Sequence, residues 1–410
     1  MSQEAPPAAP SPLIGGRSRR FVVLILGTMT AFAPLSIDMY LPAFPSMQKF
    51  FATEPGEVQL TLASFFIAFA CGQIVYGPLT DRFGRKPPLY AGLALYVVMS
   101  LGCIFAPSIE ALIVLRFFQG LGGAAGPVIA RAVINDLFDK HEAVRAYATM
   151  MLVSGLAPIL APILGGYILL VSSWQAIFAT LMCLGAACLF TSFKFLPETN
   201  PADPSRRFGL FPVLLVFHGL LKNRAYMGLV LGSSFAVAGM FGYISAGAFI
   251  FIDHFGLLPQ EFSWVFGANA FFLIGSAQIN ARLVKRLGSE RLLAFGRLLQ
   301  IGGAVALVYM AATETGGVAG FIIPLFVALG SLGFILTNST ALAMAPHRTI
   351  AGSASALLGV LQFGIGALTA TVMGWLQVRT PLALALVIAF YAVAGQVAFL
   401  LLHPREKKGG

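Results

Sequence analysis

The residues able to do chemistry in this chain are few, and two of them sit where water should be scarce. Asp38, in "APLSIDMYLPAFP" (33–45), stands near the end of an apolar run that begins at Phe21. Arg116, in "LIVLRFFQGLGGAAG" (112–126), stands roughly two helical turns inside another such run. A buried carboxylate can change protonation when a cavity opens to one side and then the other, and a nearby cation favours its charged form. A guanidinium at such a depth is costly unless it faces a partner or a cavity. Arg116, Gln119, Gly120, Gly123 and Pro127 fall on one helical stripe, which aims a cation and an amide at the same neighbour. Asp38 and Arg116 lie at similar depth, so a buried pair is expected, with Pro34 favouring a kink one turn before the acid. The plainer alternatives are an aspartate that caps a helix end and an arginine that snorkels to the membrane surface.

Two further stretches carry local chemistry. In "GPLTDRFGRKP" (77–87), Gly77 and Gly84 permit tight turning, and Asp81 is followed by Arg82, Arg85 and Lys86. Such a cluster can latch neighbouring helix ends or simply anchor a basic loop. In "GLAPILAPILGGY" (155–167), Pro158, Pro162, Gly165 and Gly166 allow a bend and close helix packing. Other chemistries find no support. No Gly-Lys dipeptide exists, so a phosphate-cradling P-loop is absent. "HEAVR" (141–145) lacks the second histidine of a zinc helix, no GxSxG elbow occurs, and the five histidines are scattered. Cys71, Cys103, Cys183 and Cys188 lie in apolar runs without CxxC spacing and read as small packing residues. No metal site and no cofactor are expected.

These residues must be positioned by membrane helices. Of 410 residues, 58% are hydrophobic and 10% charged, against roughly 25% charged in soluble domains. The apolar runs are continuous rather than alternating and exceed the ~20 residues needed to cross a bilayer, which selects helices over a β-barrel. Twelve spans are expected at 21–43, 58–79, 88–107, 109–136, 143–170, 174–196, 224–252, 260–284, 290–312, 318–345, 350–377 and 381–402. Residues 1–20 read as a disordered Pro/Ala-rich tail rather than a cleaved signal, 197–223 as a central loop with an interfacial helix, and 404–410 as a second tail. The halves are then 21–196 and 224–403.

Lys and Arg fall in alternate connections, from Arg17, Arg19 and Arg20 through Arg82, Arg85, Lys86, Lys140, Arg145, Lys222, Arg224, Lys285 and Arg286 to Arg405. The opposite set holds little beyond Lys49 and Arg379. By the positive-inside rule both termini face the cytoplasm, and the net charge of +10 reflects membrane topology rather than nucleic-acid binding. "GQIVYGPLTDRFGRK" (72–86) and "GSAQINARLVKRLGSE" (275–290) end corresponding spans of the two halves, a weak internal repeat. Such repeats place a substrate site between the halves near the midplane.

The motif at 77–87 closely resembles the loop signature of the major facilitator superfamily, G-x-L-a-D-r-x-G-r-K. "LRFFQG" is similar to the span-four motif of drug:proton exporters, and "APILGGY" resembles their antiporter motif, with Ala157 and Ala161 standing where it has glycine. With "PLSIDMYLPAFP" and "QFGIGA", the chain resembles the bicyclomycin/chloramphenicol-resistance (Bcr/CflA) branch. The resemblance implies an all-α major facilitator fold of two six-helix halves in a bacterial inner membrane, with Asp81 and Arg85 latched to Asp136. It implies proton-driven efflux of small, largely apolar drugs, with Arg116 tied to proton coupling and Asp38 the acid it serves. Candidate substrate contacts are Asp38, Tyr40, Gln119, Phe235, Phe241, Tyr243, Phe266, Asn269, Asn338 and Gln362, with Phe271 as a further wall aromatic. The expected partners are a small-molecule drug, protons and the lipid bilayer, with no nucleic acid and a monomeric carrier. Export of an endogenous metabolite remains a second reading, supported by Asn269, Asn280, Asn338 and Gln362. A channel or membrane-embedded enzyme is a remote third.

Overall fold

Proline decides the shape of the first crossing. The computed structural model describes residues 13–14, 17–202 and 211–402. Helix Arg19–Thr30 gives way at Ala31 to Phe32–Asp38, then to a tight turn at Leu41–Ala43 and a last helix Phe44–Phe51. Pro34, Pro42 and Pro45 lie at or beside these breaks because each removes a backbone donor from the helical ladder. Span one therefore runs Phe21–Phe51, eight residues beyond the expected end at 43. Asp38 is thus near its middle, at the end of a helical segment, and does not cap the outer end of the span.

Among the described residues, twelve helical segments are long and apolar enough to cross a membrane. They are Phe21–Phe51, Pro55–Phe83, Lys86–Ile104, Ile109–Leu137, Arg145–Val171 and Trp174–Phe195, then Arg224–His254, Pro259–Leu287, Ser289–Thr313, Gly317–His347, Gly352–Trp375 and Pro381–Leu402. Below they are spans one to twelve. Apart from a two-residue ladder pairing Leu13–Ile14 with Arg17–Ser18, the described chain is helical. Exposed Val171, Phe193, Leu298, Trp375 and Phe390 present apolar side chains outward, as lipid-facing helices require. Phe211–Lys222 is helical, as the central-loop reading expects, with Phe217 and Leu220 buried and Leu214, Leu215 and Leu221 exposed. Residues 1–12 and 15–16 of the expected tail, 203–210 of the central loop, and 403–410 lie outside the described residues.

The spans pack as two groups of six. Spans two and four, and three and six, pair within the first group; spans seven and twelve, and nine and ten, within the second. The groups meet mainly through two helix pairs, span two on span eleven and span five on span eight. Close backbone approach makes these seams. A Cβ on Gly56 of span two would lie 2.2 Å from the Gly374 carbonyl oxygen of span eleven, and one on Gly267 of span eight would lie 3.1 Å from the Ile159 carbonyl oxygen of span five, so a side chain would displace the first seam and crowd the second.

Inside the second half, Asn338 donates to the Asn280 side-chain oxygen at 2.6 Å and to the Phe334 carbonyl at 2.8 Å. Asn280 in turn donates to Thr337 at 2.9 Å. Buried amides need such partners, because a stranded one loses ~1–3 kcal/mol of desolvation free energy. Replacing Asn338 by Leu strands the Asn280 oxygen and is expected to lower the melting temperature of the detergent-solubilised protein by several degrees. The double change N280L/N338L should recover part of that loss, and an unchanged melting temperature in the single variant would show that the pair bears no weight.

Candidate functional site

Arg116 is fully buried in span four, and its environment explains how a cation is tolerated there. Its guanidinium lies 4.3 Å from the ring centres of both Tyr40 and Phe65 and 5.8 Å from that of Phe178. It donates to the Ser36 carbonyl at 3.0 Å and to the Gln119 side-chain oxygen. Gln119 continues the network by donating to Ser100 at 2.7 Å, while Ser36 and Tyr96 share a hydroxyl bond of 2.7 Å. Cation–π contact and a carbonyl thus replace the anion that Arg116 would otherwise need.

The expected Asp38–Arg116 pair does not form. Arg116 grips span one at Ser36, and residues two apart on a helix project about 200° away from each other. Ser36 faces the interior of the first half, so Asp38 is turned to the other side. Asp38 is buried, and among the described residues it is the only buried carboxylate. It lies within electrostatic reach of Tyr243 on span seven, across the boundary between halves. No hydrogen bond or ion pair joins it to any described residue.

Around it the sequence candidates separate. Tyr243 stacks on Phe266 of span eight, with centroids 5.2 Å apart, and its buried hydroxyl has no partner among the described residues. Asn269, three residues on and so on the same helix face as Phe266, also has a buried, unpartnered amide nitrogen. Phe241 packs edge-on against Phe66 of span two at 4.7 Å. These residues meet at the boundary. Tyr40 and Gln119 are fully buried in the Arg116 network, and Asn338 is spent on Asn280. Phe235 stacks instead on Tyr391 of span twelve, inside the second half. Phe271 is exposed on the outer surface. Gln362 is half-buried on span eleven.

The two ends of the boundary differ. At the end opposite the termini, Gln260 donates to the Gly166 carbonyl at 3.3 Å, and Arg379 of the second half is ion-paired with Glu54 of the first. Asp253 there lies within electrostatic range of Lys49 of the first half and of Arg379. A plug of Phe66, Phe69, Phe241 and Phe363 fills the middle, with ring centroids 4.7 to 6.0 Å apart. At the end that holds the termini, the halves separate around a cavity of about 660 Å³. Its lining includes Gln73, Asp81, Arg131, Asn135, Tyr147 and Ser353.

Beside the cavity mouth, Arg85 bonds Asp136 at 2.9 and 3.3 Å through two nitrogens and Asp81 at 2.9 Å through the third. This is the arrangement expected for Asp81, Arg85 and Asp136. Arg82 takes no part and lies over Phe83 at 5.2 Å. Gly77 has open space beside it, whereas Gly84, at φ +85°, turns the chain against Glu198 and Asn200.

A family model described as Major Facilitator Superfamily matches residues 26–371. The chain belongs to that superfamily. A bicyclomycin resistance protein homologue from Haemophilus influenzae is 30% identical over 96% of this chain and 98% of its own length. A chloramphenicol resistance protein from Pseudomonas aeruginosa is 30% identical over 80% of this chain and 76% of its own. Among solved structures, a D-xylose–proton symporter superposes with a TM-score of 0.74 at 15% identity, covering 96% of this chain and all of that one, which is a likeness of fold. The protein is therefore a multi-pass transporter of the bacterial inner membrane and not an enzyme, and its resemblance to the drug-resistance branch holds.

In this superfamily member the latch has parts that the sequence reading missed. Glu198, just after span six, accepts from the backbone nitrogens of Arg85, Lys86, Thr199 and Asn200 at 2.9 to 3.1 Å. It thereby caps the start of span three, where a negative charge suits the helix dipole. Thr199 adds a 2.8 Å bond to Asp136. "LPETN" (196–200) held the signal, an acid between a proline and a polar pair after a span. Burial works to raise the Glu198 carboxyl, but the four backbone donors outweigh it and hold the group below the ordinary carboxylate range. The unfolded chain therefore takes up the proton first, so the contribution of Glu198 is complete at neutral pH and is lost as pH falls below about 4. The stability difference between wild type and Glu198→Gln in detergent is expected to be constant from pH 8 to 6 and to shrink below pH 4. A difference that grows toward acid pH would refute the cap.

Proposed function

We propose that this transporter exports small, largely apolar drugs in exchange for protons, by alternating access of one boundary site to the two sides of the membrane. The observation that carries the reading is Asp38. It is the one buried carboxylate among the described residues, stands mid-span at the boundary between the halves, and has no fixed partner. The named relatives, a bicyclomycin and a chloramphenicol resistance protein, support a drug as cargo. The alternation of Lys and Arg supports a cytoplasmic placement for the end that holds the termini. On that placement the structure is open to the cytoplasm and shut to the outside.

The cycle follows from what each group can do. When the outer end opens, Asp38 takes a proton from outside, and its neutral form can be enclosed at the boundary at lower desolvation cost. The halves rock, the Glu54–Arg379 and Gln260–Gly166 contacts form, and the cavity opens inward. Drug entering from the cytoplasm then favours release of the proton inward, and the loaded, deprotonated carrier returns. Arg116, held by its aromatic neighbours and Ser36, fixes the rotation of span one so that Asp38 stays at the boundary. No cofactor enters this cycle; the proton gradient drives it. Of the four amides that would serve a polar metabolite, Asn280 and Asn338 are bonded to each other, which favours the drug reading.

In proteoliposomes with an imposed pH gradient, Asp38→Asn is expected to abolish uphill drug transport while leaving downhill drug exchange measurable. Full proton-driven accumulation by that variant would end the coupling role. Alternation itself is checked at the closed end. With the four native cysteines replaced, Glu54→Cys and Arg379→Cys joined through disulfides by a short bis-methanethiosulfonate linker should stop transport, and reduction of those disulfides should restore it. Undiminished transport in the cross-linked protein would show that this end never opens.

A further inference from the structure

The cavity at the basic end holds a charge that neither the latch nor the Asp38 site uses. Arg131 lies on span four, about 9 Å before its end at Leu137. Its Nε donates to the Pro127 carbonyl at 3.0 Å, the residue lines the cavity, and neither terminal nitrogen bonds another of the described residues. No carboxylate pairs with it among the described residues. The other charged group on the lining, Asp81, is held by Arg85 at 2.9 Å, a guanidinium it shares with Asp136. Gln73, Asn135 and Tyr147 add polar atoms, and the Tyr147 hydroxyl is fixed by 3.0 Å bonds to the Arg131 carbonyl and the Asn135 side chain. A volume of about 660 Å³ fits a drug-sized molecule.

We infer that Arg131 sets substrate charge at the entrance: the vestibule admits uncharged or anionic compounds carrying acceptor oxygens and turns away organic cations. The inference rests on the transport reading and names its substrate class. A fixed positive charge between low-dielectric walls concentrates its field in the cavity, attracting acceptors and repelling cations far more than a charge in bulk water would. The guanidinium fork also offers two parallel donors to a carboxylate, nitro or diol group. Discrimination here comes from a repulsive element as much as an attractive one.

The test is equilibrium binding of chloramphenicol, which is uncharged, and tetraphenylphosphonium, a lipophilic cation, to the purified protein in detergent. Wild type is expected to prefer chloramphenicol. Arg131→Glu should shift the affinity ratio at least tenfold toward the cation, Arg131→Gln by an intermediate amount, and Arg131→Lys should keep the wild-type order. A purely structural role would weaken both probes together and leave the ratio unmoved. A ratio constant within twofold in both Arg131→Gln and Arg131→Glu, wild-type preference for tetraphenylphosphonium, or wild-type binding of neither probe would overturn the inference. Should Arg131→Glu fail to fold, Arg131→Gln decides. Intact, Arg131-dependent binding without pH-driven flux in everted vesicles would instead refute the transport reading alone.

Discussion

A guanidinium that must be partnered inside an apolar bundle fixes the geometry of this transporter. Arg116 cannot reach water, so its charge is held by the faces of Tyr40 and Phe65, by the Ser36 carbonyl and by Gln119. Leaving such a group unpaired in hydrocarbon would cost several kcal/mol, so the contacts that satisfy it are effectively obligatory. They determine which side of span one faces the interior of the first half. Everything two residues further on then faces the other way, and that is where Asp38 stands. The acid is exposed to change because the base is not.

The same division of labour appears at the ends of the boundary. Where the halves touch, glycines bring backbones together and an exposed ion pair and one amide bond join them. Contacts of that kind are specific in shape but individually weak, since exposed ion pairs contribute ~0–1 kcal/mol. Where the halves stand apart, the strong network of Arg85, Asp81, Asp136 and Glu198 lies wholly within the first half. Rigid halves meeting through weak, separable contacts are what a rocking device needs, because interfaces with discrete packings switch rather than deform.

What the sequence disclosed follows from how local each signal is. The spans were readable because apolar length is local, and the Asp81–Arg85–Asp136 cluster because charges at helix ends announce themselves. The Asp38–Arg116 pair was misjudged because equal depth says nothing about helix phase, which here depends on the break at Ala31 and the grip on Ser36. Phe235 and Phe271 were misplaced for a related reason. A helix apolar on every side has no amphipathic phase, so composition cannot say which aromatic faces a neighbour, the boundary or lipid. Asn280 and Asn338 belong to spans eight and ten, and only tertiary packing makes them one bonded pair. Glu198 went unread because its partners are backbone nitrogens, which every sequence has.

A single acid at the boundary also bounds the energetics of the proposed exchange. One pH unit across the membrane supplies about 1.4 kcal/mol per proton, and 100 mV supplies about 2.3 kcal/mol per charge. Together these sustain a several-hundredfold drug gradient for one proton per uncharged molecule, so a second titrating carboxylate is not required. The proton can be coupled only if its binding differs between the two states of the boundary. Asp38 meets that condition through its position. It is carried by one half, whereas Tyr243, Phe266 and Asn269 are carried by the other, so any relative motion of the halves alters the surroundings of its charge. An acid buried within either half would move as a body with its neighbours, and its protonation would not register the motion.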